Sequence, residues 1–463
     1  MDFEKLILGI DVGTSSVKVS LLDSRTVKSV YAKSVLTKAK INNPSHEKGD
    51  EQDVIKIFKS TQECLELVPR HFMKEVKAIG VCGQMHGIVF WDERFIRHFW
   101  SGEFSIETKK IVSNLYTWQD ARADKQFLAK LPRPHSHLKA HSGYGCNTIF
   151  WLQEYQPEIL SNYNRCGTIQ DLIVSAFCNL KTPVMSTQNA ASWGYFDTTD
   201  CSWNIDLLQS AHFPVNLLPS VVQPGTNAGS LYNTIYDIAK GTVVDVALGD
   251  LQCSVMATLT SVKDAAVINI STSAQVAFVT NYIGQQHDGV EYFPYFDNSY
   301  LVVAASLNGG NVLDCFVKSV LGWVSDIGLI INEDELWNRL MNLSSDEEAT
   351  SLVVNPIIFG ERHNPTVFGS FVNITNSNMT LKELFSGFCK GLVQNLLKMM
   401  PREMLLEAGI QRIIGSGSVI PKNHIIKKEI ENSFNLPLYV ENTEDSAFGA
   451  ALSAFKTNNF LFI

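Results

Sequence analysis

The sequence contains no apolar run that is long enough to cross a bilayer. An uncharged stretch at residues 265–286 includes Asn269 and Gln275, so it is too polar for a transmembrane helix. Near the N-terminus, the short apolar run Leu6–Ile10 follows acidic residues and ends at Asp11, which is unlike a secretory signal peptide. We therefore expect a cytoplasmic protein with no membrane partner.

Runs of basic residues are also missing. The chain has 38 Lys and Arg against 47 Asp and Glu, a formal net charge of −9, and its basic residues are scattered. Binding to a phosphate backbone requires clustered positive charge. We therefore expect no nucleic-acid partner.

The cysteines form neither of the patterns that would indicate a crosslinked or zinc-binding protein. There are nine, an odd number, with no CxxC motif and no tight group with histidine. This usage indicates neither a disulfide framework nor a zinc site, and it favours a reducing compartment.

What is present is typical of a large globular protein. The chain has 463 residues, of which 45% are hydrophobic and 18% charged, so it is long enough for two or three domains. Apolar runs typical of strands alternate with segments of helical periodicity, a pattern that predicts α/β layers. The most regular of these segments predicts a helix at residues 381–399, opened by Thr380 and closed before Pro401.

The first strand and turn have a second version further along the chain. The same or similar residues recur at an offset of 258, which suggests two similar halves, although four positions are few enough to coincide by chance. A loop-rich segment at 213–245 precedes the second version, so we predict domains at residues 1–246 and 247–463. The matched positions are Ile10 and Ile268, Asp11 and Asn269, Thr14 and Thr272, and Ser15 and Ser273.

Three turns have the composition of phosphate or nucleotide loops. Residues 11–16 and 271–273 are rich in small hydroxyl residues, whose N–H and O–H groups can hold phosphate, although a plain hairpin turn has the same composition. Residues 415–418 read Gly-Ser-Gly-Ser, which suits either close approach to a nucleotide or a flexible turn. The Gly-Lys of a P-loop, a complete GxGxxG and the protein-kinase motifs are all missing.

Two aspartates stand where strands end. Asp250 closes an apolar strand that begins near Val243, a position from which it could act as a base, or simply end the strand as a turn former. As a base, an aspartate of ordinary pKa would already be ionised at pH 7. Asp11 could help position a divalent cation or cap its own loop.

Two further segments have the mixture of donors, acceptors and aromatic faces that binds a polyol. They are Gln84–His86 and Trp118–Arg122. The alternatives are that His86 and Trp118 belong to the core, and that Asp120 is the N-cap of a helix over 121–131.

Taken together and in this order, these segments closely resemble the FGGY family of carbohydrate kinases. The resemblance extends over nearly the whole chain, and the set of motifs is specific. They are LGIDVGTSSVKVSLLD (8–23), GVCGQMHGIVFW (80–91), TWQDAR (117–122), SGYGCNTIFWL (142–152), STQNAASWGYF (186–196), VALGDLQCSV (246–255), INISTSAQVA (268–277), YFPYF (292–296), AASLNGGNVL (304–313), FGERHNP (359–365), GSFVNIT (369–375) and EDSAFGAAL (444–452).

The resemblance implies both a fold and a reaction. The fold is α/β, with two ribonuclease-H-like domains of the actin, hexokinase and Hsp70 superfamily and an active site in the cleft between them. The reaction is phosphorylation of a ketose by ATP with Mg²⁺. The ketose would have seven carbons or, alternatively, five, as in xylulose and ribulose; a non-catalytic sugar- or nucleotide-binding protein is the alternative outside the class.

The resemblance also assigns site residues. It makes Asp250 the catalytic carboxylate and places Asp11, with Asp250, at the metal. Phosphate and nucleotide binding would involve Gly13, Thr14, Ser15, Ser271, Thr272, Ser273, Gly309, Gly310, Gly415 and Gly417. Sugar binding would involve Gln84, Met85, His86, Trp118, Asp120 and Arg122.

The chain departs from the family pattern at two places. Where many members have a carboxamide directly after the catalytic aspartate, this chain has Leu251, with Gln252 one position later, so Gln252 has no assigned role. In the adenine loop a Gly-Gly pair is replaced by Gly417-Ser418, which we expect to weaken close backbone approach and thereby ATP affinity.

Overall fold

The computed structural model describes residues 5–101, 104–259, 264–285, 287–343, 351–362, 364, 366–440 and 445–458. Contacts divide the chain into unit 1 (Met1–Ala257, Phe293–Asn298 and Glu444–Ile463) and unit 2 (Thr258–Tyr292 and Ser299–Thr443). This division differs from the single boundary expected between residues 246 and 247. In the described parts of the chain, no helix combines the length and apolar composition needed to cross a membrane.

Strands and helices alternate along both units. The strands are β1 (Leu6–Val12), β2 (Ser16–Asp23), β3 (Lys28–Leu36), β4 (Glu51–Gln52), β5 (Val76–Gly83), β6 (Val89–Trp91), β7 (Leu115–Tyr116), β8 (Arg165–Gly167), β9 (Val184–Ser186), β10 (Phe196–Asp197), β11 (Ser202–Trp203), β12 (Ser220–Val222), β13 (Asn227–Ser230), β14 (Val243–Asp245), β15 (Leu248–Gly249), β16 (Ala265–Ile270), β17 (Ala274–Thr280), β18 (Val290–Pro294), β19 (Tyr300–Ser306), β20 (Val353–Asn355), β21 (Ser370–Val372), β22 (Arg412–Ser416) and β23 (Leu438–Val440). The helices are α1 (Val54–Glu66), α2 (Arg70–Met73), α3 (Ile96–Ser101), α4 (Ile106–Lys110), α5 (Lys125–Leu128), α6 (Gly145–Tyr155), α7 (Pro157–Ser161), α8 (Ile169–Cys178), α9 (Thr187–Ala191), α10 (Ile205–Ser210), α11 (Asp250–Thr258), α12 (Gly310–Asp326), α13 (Glu333–Leu343), α14 (Leu381–Met399), α15 (Arg402–Glu407), α16 (His424–Phe434) and α17 (Ser446–Thr457). Short 3₁₀ turns lie at Glu93–Phe95, Val215–Leu217 and Ile420–Lys422.

The main sheet of unit 1 has the strand order β13-β14-β5-β1-β2-β3. Strand β1 forms an antiparallel hairpin with β2 and lies parallel to β5, and every residue of β1 is buried, as expected for a central strand covered on both faces. The loop-rich segment at 213–245, which we predicted to approach a boundary, instead supplies β13 and β14 to this sheet.

Unit 2 repeats this topology. Its main sheet has the order β18-β19-β17-β16-β22-β23, in which β16 pairs antiparallel with β17 and parallel with β22. The hairpin β16/β17 corresponds to β1/β2, and the offset of 258 takes Ser16, where β2 begins, to Ala274, where β17 begins. The internal repeat is therefore a repeated supersecondary unit.

The last helix explains why residues from the end of the chain belong to unit 1. Helix α17 packs on β1, β2 and β5. It comes so close that a Cβ on Gly9 or Gly80 would lie 1.8 or 2.1 Å from the carbonyl oxygens of Ala447 and Ala450. A single boundary in the sequence cannot account for such a return of the chain.

The predicted helix at 381–399 is confirmed as α14. The backbone N–H of Glu383 donates to the side chain of Thr380 at its start, and the helix ends at Met399, before Pro401. Its buried residues, such as Phe385, Leu392 and Leu396, contribute to the core of unit 2.

The buried side chain of Asp245, at the end of β14, predicts how the free energy of unfolding changes with pH. It is 1% exposed, and burial raises its pKa to about 7, although the Asn458 amide donates to it. Because the native state binds this proton more tightly than the unfolded chain, stability falls as pH rises between about 4 and 7. We expect Asp245→Asn to remove this part of the pH dependence, on the order of 2–4 kcal/mol.

The measurement is the melting temperature of both proteins between pH 5 and pH 8. The melting temperature of the variant should rise relative to that of the native protein as pH rises. Parallel curves would contradict the prediction. The exposed Glu431, changed to Gln, is the control, because an exposed carboxylate keeps its hydration in both states.

Candidate active site

Asp11 is a buried carboxylate, and only one of its two oxygens has a partner in the described part of the chain. It lies in β1 opposite Lys18 of β2, and the Lys18 Nζ is 3.5 Å from Oδ2. Burial raises the pKa of Asp11 to about 6; Lys18 opposes this shift, and the charge of Asp445 adds to it. Within the described residues, Oδ1 has no hydrogen-bond partner. This buried oxygen can accept a hydrogen bond or bind a cation.

Lys18 was missed by the sequence analysis. It stands in an alternating strand, where a lysine usually faces solvent, but the hairpin register brings it beside Asp11. The signal was available in the register: with a turn centred on residues 14 and 15, positions 11 and 18 are opposite each other.

Asp250 is the first residue of α11 and follows β15 directly. The backbone N–H of Leu251 donates to its Oδ1 at 2.8 Å. Burial raises its pKa to about 7, and the nearby charge of Asp11 contributes to the same shift. The pKa of Asp250 thus differs from the ordinary value that we expected, because the sequence indicated neither its burial, which is the larger cause, nor its closeness to Asp11.

The turn after β1 joins the sugar-side segments through Thr14. Trp118 Nε1 donates to the Thr14 hydroxyl at 3.0 Å, and that hydroxyl lies 3.5 Å from Gln84 Oε1. Gln52 Nε2 donates to the Thr14 carbonyl at 2.8 Å. Residues predicted separately for phosphate and for sugar are therefore brought together, whereas Ser15 is exposed at the tip of the turn.

His86 is held in a fixed orientation. Its Nδ1 lies 3.0 Å from the Ser192 carbonyl oxygen, which can only accept, so Nδ1 carries the proton. The ring stacks on Tyr144 with centroids 4.6 Å apart and planes 4° apart. Met85 beside it is buried. Tyr144 lies in the SGYGC segment, which the sequence analysis quoted without giving this residue a role.

Asp120 and Arg122 lie in a closed buried network. The Arg122 side chain is 0% exposed; it donates to Asp120 at 2.8 Å and to Glu51 at 2.6 Å, and it stacks on Tyr116. Asp120 also accepts from a backbone N–H and is not a helix N-cap, since α5 is capped by Asp124. Because the polar groups of Asp120 and Arg122 already have partners, these two residues are suited to holding the segment Trp118–Arg122 in place.

In unit 2, the hydroxyl turn at 271–273 packs against two other turns. The N–H of Gly310 donates to the Ser271 carbonyl at 2.7 Å, and that of Ser418 donates to Ser271 Oγ at 3.3 Å. Gly417 has φ +90°, and a Cβ there would lie 2.4 Å from a backbone oxygen. In the Gly417-Ser418 pair, the residue with positive φ is therefore the glycine. Ser418 does not have positive φ, so its backbone conformation does not require glycine.

These turns border a cavity of about 580 Å³ that lies within unit 2. Its volume is in the range of ligand sites, and it combines apolar surface with polar groups. Gly415 is not part of its wall; this residue is buried in β22, where a Cβ would meet Ile420 at 3.0 Å. The cavity is lined by Ser271, Thr272, Gly310, Asn311, Leu313, Asp314, Trp337, Asn338, Met341, Ser418, Val419, Lys422 and Asn423.

Comparison with known proteins identifies the family. Residues 6–257 match the N-terminal domain of the FGGY family of carbohydrate kinases, and sedoheptulokinase of Mus musculus is 42% identical over 461 residues, covering 96% of each chain. This chain belongs to the FGGY family. Xylulose kinase of Escherichia coli is more distant, 22% identical over 81% of this chain and 74% of its own.

The fold agrees with that of this family. Plasmodium falciparum glycerol kinase with ADP superposes with a TM-score of 0.78 at 17% identity, over 99% of this chain and 90% of the other. The chain is thus an FGGY carbohydrate kinase with two ribonuclease-H-like units, and its substrates are a sugar and ATP.

Proposed function

We propose that this kinase transfers the terminal phosphoryl group of ATP to the terminal primary hydroxyl of sedoheptulose, giving sedoheptulose 7-phosphate. The observation that supports this substrate is the 42% identity to a sedoheptulokinase along 96% of both chains, against 22% for a xylulose kinase. The nine free thiols support a cytoplasmic location.

Asp250 is the general base of the proposed reaction. Phosphoryl transfer has a loose transition state, so the protein mainly positions the groups and receives one proton. Asp250 accepts the proton of the attacking hydroxyl and must therefore be ionised beforehand. The raised pKa of Asp250 is a consequence of burial and of Asp11, and a cation next to both carboxylates would lower it.

Asp11 and Asp250 are the residues that would hold Mg²⁺. The fit rests on the unpartnered buried oxygen of Asp11 and on the hard carboxylate ligands that Mg²⁺ prefers. When bound, the ion would neutralise negative charge on the phosphates. Lys18 supplies a fixed positive charge to the same place.

The sugar and the nucleotide have separate proposed sites. Gln84, His86 and Trp118 bind the ketose, and Asp120 with Arg122 positions the segment that carries Trp118. The protonated Nδ1 of His86 leaves Nε2 with the lone pair that can accept from a sugar hydroxyl. ATP occupies the cavity of about 580 Å³ beside the turn at 271–273.

The test is an ATP-consumption assay with Mg²⁺ and ketoses of five to seven carbons. We expect the highest kcat/KM with sedoheptulose. A higher kcat/KM with xylulose or ribulose would show that a five-carbon ketose is the substrate instead. Turnover without any sugar would indicate a different ATPase, and the absence of turnover with all of these sugars would favour a binding protein.

His86→Asn gives a prediction for the sugar site. His86 has φ +72°, a region that asparagine tolerates, so the variant keeps the backbone while it removes the imidazole. We expect KM for the ketose to rise about tenfold, as for one lost hydrogen bond with its packing, with KM for ATP unchanged. Steady-state kinetics in both substrates measures this.

The control is His212→Asn. His212 is exposed and also has positive φ, at +57°, so the same substitution is made in the same backbone conformation. The control should keep both KM values. An equal rise of both KM values in His86→Asn would contradict a role in sugar binding.

A further inference from the structure

Glu361 is a buried carboxylate that the reaction described above does not use. It lies in the loop after β20, is 2% exposed, and accepts four hydrogen bonds from neutral donors. Three reach Oε1, at 2.5 to 3.1 Å, and one reaches Oε2, at 3.3 Å. The donors are Ser306 Oγ, Asn308 Nδ2, Asn395 Nδ2 and the Leu307 backbone N–H.

These donors come from the segment that leads into the nucleotide turn. Ser306 ends β19, and Leu307 and Asn308 connect it to Gly309 and Gly310 at the start of α12. Glu361 thus accepts hydrogen bonds from all three residues that precede the glycine pair.

Asn308 adds two hydrogen bonds between its own segment and the loop that contains Glu361. Its Nδ2 donates to the Gly360 carbonyl at 2.9 Å, and its Oδ1 accepts from the Phe359 N–H at 3.0 Å. Beyond this connection, the N–H groups of Gly310 and Asn311 reach the turn at 271–273. Hydrogen bonds from Glu361 to residues 306–308, the backbone that continues to Asn311, and the hydrogen bonds of Gly310 and Asn311 therefore connect Glu361 to the wall of the 580 Å³ cavity.

We infer that Glu361 is a positioning residue that sets the turn Leu307–Gly310 for nucleotide binding. It acts through these residues and does not itself line the nucleotide cavity. The physical reason is that a carboxylate has only acceptors, so it holds four donors without presenting a competing N–H. The inference rests on the proposed use of the cavity by ATP.

The test compares Glu361→Gln with the native enzyme. The amide keeps the shape but turns an N–H₂ group toward at least one of the existing donors. We expect KM and Kd for ATP to rise about tenfold, the effect of one lost hydrogen bond to a charged group, with kcat and KM for the ketose nearly unchanged. If this variant fails to fold, Asn395→Ala removes one of the four donors to Glu361, a side chain that also donates to Ser306 Oγ. We expect KM for ATP to rise about threefold in this variant.

The matched control is Gln394→Ala on the same helix α14. Gln394 donates to Glu429 and Ser433 of α16, away from the turn. It should lower the melting temperature without changing KM for ATP. The inference is overturned if Glu361→Gln behaves in the same way, or if it raises both KM values in parallel.

Hydrogen exchange separates this inference from the proposed function. Glu361→Gln should speed exchange at the amides of residues 307–310, whereas Gln394→Ala should not. This readout does not depend on catalysis, so it remains informative even if no ketose is phosphorylated. Unchanged exchange at these amides would overturn the inference, and failure to phosphorylate a ketose would overturn only the proposed function.

Discussion

Replacing Asp250 by asparagine is expected to lower kcat by about 10²-fold or more, the usual contribution of a general base. The substitution keeps the size of the side chain and its acceptor for the Leu251 N–H, but it removes the group that receives the proton. Because the proposed ATP cavity is lined by residues of unit 2 only, Kd for ATP should change little. Steady-state kinetics and calorimetric titration measure the two quantities.

The control for this prediction is Asp245→Asn. Asp245 is also an aspartate whose pKa is raised to about 7, but its side chain accepts a hydrogen bond from Asn458, outside the proposed site. Its variant should retain kcat. Near-normal turnover in Asp250→Asn would remove the assignment of the base, and a parallel loss in both variants would indicate a general effect of removing a buried charge.

Replacing Gly309 by alanine is expected to raise Kd for ATP by about 10²-fold. A Cβ at this position would lie 2.4 Å from the carbonyl carbon of Ser273 and 2.5 Å from its oxygen, so the backbone of one turn must move. Overpacking of this kind typically costs about 1–3 kcal/mol, and here the strain falls on the turn that would hold phosphate. Titration of ATP measures the effect directly.

Gly322→Ala is the matched control, in the helix α12 that Gly309 precedes as the N-cap. Apart from its chain neighbours and the backbone of its own helix turn, a Cβ on Gly322 would have no described atom within 4 Å, and alanine favours the helix by about 0.5–1 kcal/mol. This variant should bind ATP normally and melt slightly higher. Equal affinities of the two variants for ATP would contradict the importance of close packing at Gly309.

Much of the fold could be predicted because its signals are local. The hairpins β1/β2 and β16/β17 have the same strand, hydroxyl turn and strand in the sequence, so their repetition at an offset of 258 was visible without coordinates. Helix α14 was visible because its apolar residues and its Thr380 cap lie within one segment. The domain boundary was not, because α17 returns to unit 1 from the end of the chain.

Some features of the candidate site could likewise be predicted from the sequence, and others could not. Asp11, Asp250 and the hydroxyl turns stand out as residue types at strand ends, and their roles as base, metal ligand and phosphate loops remain predictions. The Lys18 ion pair required the register of a hairpin, and the raised pKa of Asp250 required its burial and its closeness to Asp11. The buried ion pair of Arg122 with Glu51 required segments that are about 70 residues apart in the chain.

By itself, the sequence determined the class of fold and the repeat, because these depend on residue type and short-range spacing. Its motifs carried the resemblance to the family, and with it the prediction of which residues bind sugar and phosphate. Only the tertiary structure decided which of these groups are buried, which are already bonded to each other and which keep an oxygen for a ligand. The reason is that desolvation and charge interactions depend on distance in space, and distant segments of the chain acquire that distance only on folding.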